Sequence, residues 1–396
     1  MMAKTMKDIQ IAVVGLGSRG SLTWIPQIQN MEHCRITAIC DPIEALHCKA
    51  RAQLKHPDGV KAYTRYEDVL ADKNVDAVAL TVRCRKQGEL AAQALEAGKH
   101  VNCEVPAAHS LEDCWRIVVA QERSGKVYHL AEQLRFAGYV QAWRKLVADG
   151  ALGKITYAEG QYLHYFVVKC FQNFSTGQFY HPDEAASHPE AIKTWLHEMP
   201  PIHYLPHDLS PLLTVLDDRV VEVVGMSTDS PSAAHPQLDW PDMQASLMKT
   251  AKGTLMRMMV SFSQPHPDPE GYYHWQQIIG TRGCVELGRS RKDTPRLWFA
   301  DSSVKDKVEA NWSWEPEGAT PEARASGHGG LDYYVHAVFR DAVLGVKPLE
   351  LDVYRAMDIT APSIVAADSI AQGGAKLTMP DFRPNAQRAA GQMPRN

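Results

Sequence analysis

Residues 11–20 read Ile-Ala-Val-Val-Gly-Leu-Gly-Ser-Arg-Gly, four apolar positions running straight into glycines at 15, 17 and 20. That spacing suits capture of a pyrophosphate. Gly15 permits a tight turn, Gly17 lets backbone approach the phosphates, and Gly20 lets the next helix pack on the strand. The N–H groups that open this helix, at Ser18 and Arg19, would hold the anion together with the helix dipole. A second strand-like run, 35–40, ends at Asp41, about 20 residues beyond Gly20. A carboxylate there accepts hydrogen bonds from both ribose hydroxyls and repels a 2′-phosphate. The next residues, Pro42 and Ile43, bring no cation for such a phosphate, so the pattern predicts NAD rather than NADP.

Two other clusters could move protons or hold charge. The segment Met-Pro-Pro-Ile-His-Tyr-Leu-Pro-His-Asp over 199–208 carries His203, Tyr204 and His207 within five residues. Pro206 suits the first turn of a helix. His207 then lies where the positive helix end disfavours an imidazolium, and a neutral imidazole can act as a base. Tyr204, with an unperturbed pKa near 10, needs a neighbouring cation or histidine to do so. Arg83, Arg85 and Lys86 place three cations within four residues just after the strand-like run 76–81. Such a run is either a solvated loop or a receptor for an anionic substituent, because the arginine fork matches carboxylate, phosphate or sulfonate oxygens.

The elements that must position these residues alternate strand and helix up to about residue 130. Strands are expected at 76–81, 101–103 and 126–130, and helices at 89–97 and 111–124, the second capped by Ser110. This succession predicts a parallel, doubly wound sheet over 1–134. From 135 to 396 the runs 155–162, 220–227, 244–249, 254–261, 276–280 and 283–287 predict an α+β domain with one open, mostly antiparallel sheet. Residues 170–200 and 300–328 read as long loops. A formal net charge of −4 over 396 residues gives no reason to expect nucleic acid or an anionic membrane as partner. No apolar run approaches a membrane span and residues 1–10 lack a signal-peptide core, so a cytoplasmic protein is expected. The eight cysteines are scattered with no zinc or dithiol spacing, and no metal is expected.

GLGSRG, Asp41, the phrase ALEAGKHVNCEVPAA over 94–108 and the pair His207-Asp208 together resemble the Gfo/Idh/MocA oxidoreductase family across nearly the whole chain. The chain looks most like the family's NAD-dependent glycosidase branch, typified by glycoside hydrolase family 109. The carriers are EVPAA in place of the dehydrogenases' Glu-Lys-Pro, Tyr204-Leu-Pro-His207, and Gly327-His-Gly-Gly-Leu-Asp332. Family dehydrogenases use that lysine as a proton shuttle, and here the position is Val105. The resemblance implies a hydrolase that transiently oxidises a sugar carbon, eliminates the C1 substituent, adds water and reduces the sugar again. It implies acid/base roles for His207, Tyr204 and His203, with Glu132 as helper. It adds Thr81, Arg83, Glu104 and Gln133 to the cofactor contacts, and it implies that Tyr162, His164 and Tyr273 face the sugar. With Arg83, Arg85 and Lys86 as receptors, the expected substrate is an anionic glycoside such as a sulfoquinovoside. A net sugar dehydrogenase and an α-N-acetylgalactosaminidase-like hydrolase of neutral glycosides are the alternatives. A homo-oligomer is expected, because an open second-domain sheet invites face-to-face packing.

Overall fold

Short runs of small and β-branched residues alternate with helices over the first third of the chain. A computed structural model, which describes residues 7–174, 176–265, 274–290 and 293–394, joins them into one sheet. Its strands are β1 (Ile9–Val14), β2 (Cys34–Cys40), β3 (Lys61–Tyr63), β4 (Ala77–Leu80), β5 (His100–Cys103) and β6 (Tyr128–Leu130). The order is β3-β2-β1-β4-β5-β6 with every pairing parallel. Helices cover both faces, which is why Ala77 to Leu80 are all buried with no polar alternation. The strand order reverses between β1 and β4, so their carboxyl ends open the crevice where such sheets bind ligands.

The helices that bear on the site are α1 (Cys84–Glu96), α2 (Leu111–Ser124), α3 (Gly138–Ala148), α4 (Pro206–Leu216), α5 (Asp332–Val343) and α6 (Val353–Ala371). The Ser110 hydroxyl accepts from the Asp113 N–H at 3.1 Å, capping α2 as its sequence predicts. Helix α1 starts five residues before the expected position, so Arg85 and Lys86 sit in its first turn rather than in a loop. Helix α5 lies beyond most strands of the second sheet in sequence but packs on the first. Val335 and Phe339 join Ile9, Ile11, Val13 and Trp24 in one apolar cluster, and Asn102 meets His336 at 3.1 Å.

The second sheet runs through β7 (Ile155–Leu163), β11 (Val220–Ser227), β12 (Gln244–Thr250), β13 (Leu255–Ser261), β14 (His274–Gly280), β15 (Gly283–Glu286), β16 (Arg296–Phe299), β17 (Val308–Glu309) and β18 (Leu377–Thr378). Its order is β17-β16-β15-β14-β7-β13-β12-β11-β18, antiparallel except for β7 with β13. Within the expected loop 170–200, β8 (Phe171–Gln172), β9 (Phe179–Tyr180) and β10 (Ile192–Lys193) form a small separate sheet. Helices α4 and α6 lie on one face of the large sheet. A Cβ at Gly160 of β7 would stand 2.9 Å from the Asp208 Cβ, so glycine lets the start of α4 settle onto the strand. The other face leaves Leu247, Leu255 and Ile279 exposed.

Candidate active site

The glycine turn closes as its sequence predicts. Gly15 has φ +90°, and a Cβ there would meet the Thr81 carbonyl oxygen at 2.5 Å. The Thr81 hydroxyl donates to the Gly15 carbonyl at 2.6 Å, latching the turn to the end of β4. Gly17 has nothing within 4 Å of its missing Cβ, which leaves open space for phosphate against its backbone, and Ser18 is exposed beside it. Asp41 is buried at the end of β2, where it accepts from the Leu16 N–H at 2.8 Å and the Ile43 N–H at 2.9 Å. Each carboxylate oxygen keeps a further acceptor site for a ribose hydroxyl. These residues fit NAD.

Arg19 reaches across the crevice. Its guanidinium pairs with Glu104, just past β5, and with Asp332 at the start of α5 at 2.8 Å and 3.2 Å. Asp332 also takes the His328 Nδ1 at 2.8 Å, with His328 held at φ +52° inside the Gly-rich turn. Burial opposes the Asp332 charge, but Arg19 and His328 outweigh it and hold the carboxyl well below its usual range. The Gln133 amide lies 3.3 Å from the His328 ring. This clamp ties the glycine turn to the second domain; removing one partner of such a buried pair costs on the order of 3–5 kcal/mol.

The proton-bearing side chains meet over β7. Tyr162 stacks on His207 with ring centroids 5.5 Å apart and planes 13° from parallel. Around it stand His164 at 4.1 Å, His274 at 5.0 Å and Tyr204 at 5.8 Å. Trp195 stacks on Tyr204 at 4.7 Å, walling the cluster off on the side of the 170–200 segment. His207, one residue into α4, places Nδ1 2.9 Å from the fully buried Glu132 carboxylate. Glu132 also accepts from the Leu134 N–H at 3.0 Å, which fixes its orientation. Beside this dyad lies a second. Asp208 takes the His274 Nδ1 at 3.0 Å and the Gln276 amide at 2.8 Å, and Gln276 in turn accepts from the Tyr139 hydroxyl at 3.0 Å.

The electrostatics correct one expectation. Burial pushes the His207 imidazolium down, but Glu132, with Glu104 and Asp208 behind it, overrides burial and raises the pKa above the ordinary histidine value. The helix-end effect expected from sequence is outweighed by a carboxylate in contact. At Tyr204 burial itself raises the phenol well above 10, so it stays protonated and can donate rather than act as a base. Glu104, which pairs with Arg19 beside the glycine turn, contributes to the field at both residues, so the cofactor end and the aromatic cluster are neighbours.

Other expected site residues are placed differently. His203 turns its ring onto His109 at 4.7 Å, and burial pushes its pKa down to about 3, leaving it neutral. Arg83 donates to Glu198 at 2.9 Å and to the Lys193 carbonyl at 3.2 Å. Arg85 donates to the Glu198 carbonyl at 2.6 Å, and exposed Lys86 pairs with Glu89 at 3.2 Å. Val105 is buried where dehydrogenase relatives are expected to carry lysine. Tyr273 lies outside the described residues. Sequence reasoning left out His274, Gln276 and Glu198. His274 had a signal, since it ends an aromatic Gly-Tyr-Tyr-His run just ahead of a strand, whereas Glu198 in an irregular segment had none.

Comparison with known proteins agrees with the two halves. Residues 9–132 match the model of an oxidoreductase family with an NAD-binding Rossmann fold, and 137–387 match the C-terminal domain of glycosyl hydrolase 109. A glycosyl hydrolase family 109 protein of Saccharopolyspora erythraea is 25% identical over 95% of this chain and 83% of its own length. An alpha-N-acetylgalactosaminidase of Bacteroides fragilis is 24% identical over 94% of this chain and 92% of its own. An Agrobacterium radiobacter oxidoreductase, solved with NAD+, L-tartaric acid and magnesium, superposes with TM-score 0.70 at 16% identity, covering 94% of this chain and 98% of that one. No described helix is long and apolar enough to cross a membrane.

Proposed function

The chain belongs to glycosyl hydrolase family 109 and is an NAD-binding glycosidase, and from that premise we propose that it cleaves its glycoside by transient oxidation of the sugar ring. The observation that carries the proposal is the Glu132–His207 dyad stacked on Tyr162, in a cleft whose dehydrogenase lysine position is Val105. A glycosidase of the usual kind needs two carboxyl groups facing the scissile bond. Here Glu132 is committed to His207, Asp208 to His274 and Glu104 to Arg19. The cleft is furnished for proton transfer instead. NAD, when bound, supplies reversible oxidation at a hydroxyl carbon of the sugar, assigned here to C3. The C2 proton beside the resulting ketone is acidic, the C1 substituent leaves by elimination, and water adds back. His207, oriented by Glu132 and made more basic by that carboxylate, takes and returns a proton. Tyr204 donates a hydrogen bond to an oxygen of the sugar, and Tyr162 offers a ring face.

For the substrate, Glu198 is the deciding residue. Its carboxylate pairs with Arg83, its backbone carbonyl accepts from Arg85, and Lys86 pairs with Glu89 on the helix surface, so each of the three cations on which an anionic sugar would depend already has a protein partner. That supports a neutral sugar, and the Bacteroides fragilis relative named for N-acetylgalactosaminides makes that class the first choice. A panel of nitrophenyl glycosides tests the assignment. N-acetylgalactosaminide cleavage that survives Arg83→Ala within about threefold is the expected result. Cleavage confined to sulfonated or carboxylated sugars, and lost by a factor of about 30 or more in Arg83→Ala, would restore the anionic reading.

The uncovered sheet face supports a homo-oligomer as its occupant, because Leu247 of β12, Leu255 of β13 and Ile279 of β14 stand exposed on it. Light scattering should give the mass of more than one chain, and Leu255→Asp should reduce it; a monomer before substitution would refute the assembly.

A further inference from the structure

A second cleft lies on the far side of α4 from the aromatic cluster, with a volume of about 340 Å³. The last turn of α4 lines it with Leu213 and Thr214, the turn after β12 with Lys252, the start of α6 with Arg355, and the tail with Arg383. Its inner wall is Arg135. None of the side chains of the aromatic cluster or the glycine turn lines it. Along α4, His207 and Asp217 are ten residues apart, about 15 Å at 1.5 Å per residue.

The charges in this cleft do not balance at its inner end. The Arg135 side chain is only 4% exposed, and its ion pair is to Glu350 at 3.2 Å. Glu350 is shared, since it also pairs with Arg144 at 2.5 Å. Two guanidinium groups therefore divide one carboxylate. Further out, Arg355 is held by Asp217 at 2.9 Å and Arg383 by Asp358. Lys252 donates to the backbone carbonyls of Leu216 and Asp217, which carry no net charge. Burial pushes the Arg135 pKa down, and the positive field of Arg144 and Arg355 adds to it, against the pull of Glu350 and Glu132. The lining as a whole carries five cations, Arg135, Arg219, Lys252, Arg355 and Arg383, against three carboxylates, Asp217, Asp218 and Asp358, so a buried guanidinium facing the cavity suits an anion. Leu213, Leu351 and Ile359 add an apolar wall, which fits a small body behind the charged head.

We infer that this cleft is a second ligand site, separate from the NAD and sugar cleft, which takes a small organic oxyanion with its carboxylate or phosphate head on Arg135 and Arg355. The guanidinium fork of Arg135 matches two oxygens of either head group. Because the cleft lies at the opposite end of α4 from His207, its ligand binds without displacing the cofactor or the glycoside.

Isothermal titration of the full chain, loaded with NAD, tests the site with inorganic phosphate and with succinate, and with sodium chloride as the ionic-strength control. Saturable one-to-one binding of phosphate or succinate is expected, and which of the two binds tighter identifies the head group. Arg135→Gln should weaken that binding by about ten- to hundredfold while leaving NAD affinity unchanged. Arg355→Gln alters the rim without opening the core, so it provides the same test if the Arg135 variant fails to fold. Binding by neither anion, binding matched by chloride, competition with NAD or glycoside, or full affinity in Arg355→Gln would each overturn the site.

Discussion

His207→Ala should lower kcat by about a thousandfold, within the range for removal of a positioned general acid or base, while NAD affinity stays within a few-fold. The separation follows from geometry. His207 touches Glu132 and the Tyr162 ring, whereas the phosphate and ribose positions are built from Gly15, Gly17 and Asp41 on the other sheet. The side chain is nine-tenths buried, so the variant leaves a small cavity and some loss of thermal stability. A melting curve that shows a folded chain, together with stopped turnover and intact NAD binding, is the expected combination. Near-unaltered turnover would remove His207 from the chemistry.

Glu132→Gln should cost about a hundredfold in kcat and also move the pH profile, which a purely structural role would not do. The native pKa of His207 is raised because the Glu132 carboxylate overcomes burial. With a neutral amide in its place, burial is no longer outweighed at contact distance and the pKa falls. His207 serves as a base only above its pKa, so the acid limb of kcat/KM should shift to lower pH in the variant. An acid limb that stays where it is in the wild type would mean that another group sets it. Glu132→Asp keeps the charge but retracts it by one methylene, and should restore part of the rate with a limb between the two.

The first sheet was legible because its signals are local. A β-branched run, three glycines and a carboxylate at the end of the next strand all lie between Ile11 and Asp41, and each is dictated by backbone geometry. The second sheet was legible as strands, but the small sheet over 171–193 was not, since its strands are two residues long and carry no period. At the site, the expected residues Glu132, Tyr162, His164, Tyr204 and His207 do share a cleft. Their pairings were hidden because the partners are far apart in sequence. Glu132 and His207 come from the end of one sheet and a helix lying on the other, and Asp208 finds His274 across β7 and β14. The helix-end argument failed for His207 because it weighed a diffuse partial charge and could not know that a full carboxylate was in contact. The partner of the cationic run at 83–86 was hidden for a similar reason, since Glu198, whose carboxylate accepts from Arg83 and whose backbone carbonyl accepts from Arg85, lies more than a hundred residues away.

Redox-assisted cleavage can be tested directly by running the reaction in heavy water with absorbance recorded at 340 nm, then examining the released sugar by NMR. The account predicts many turnovers with flat absorbance and deuterium at C2 of every released sugar, because the C2 proton must leave before the C1 bond breaks. Released sugar with ordinary hydrogen at C2 would contradict it, and so would absorbance that rises in step with a keto sugar.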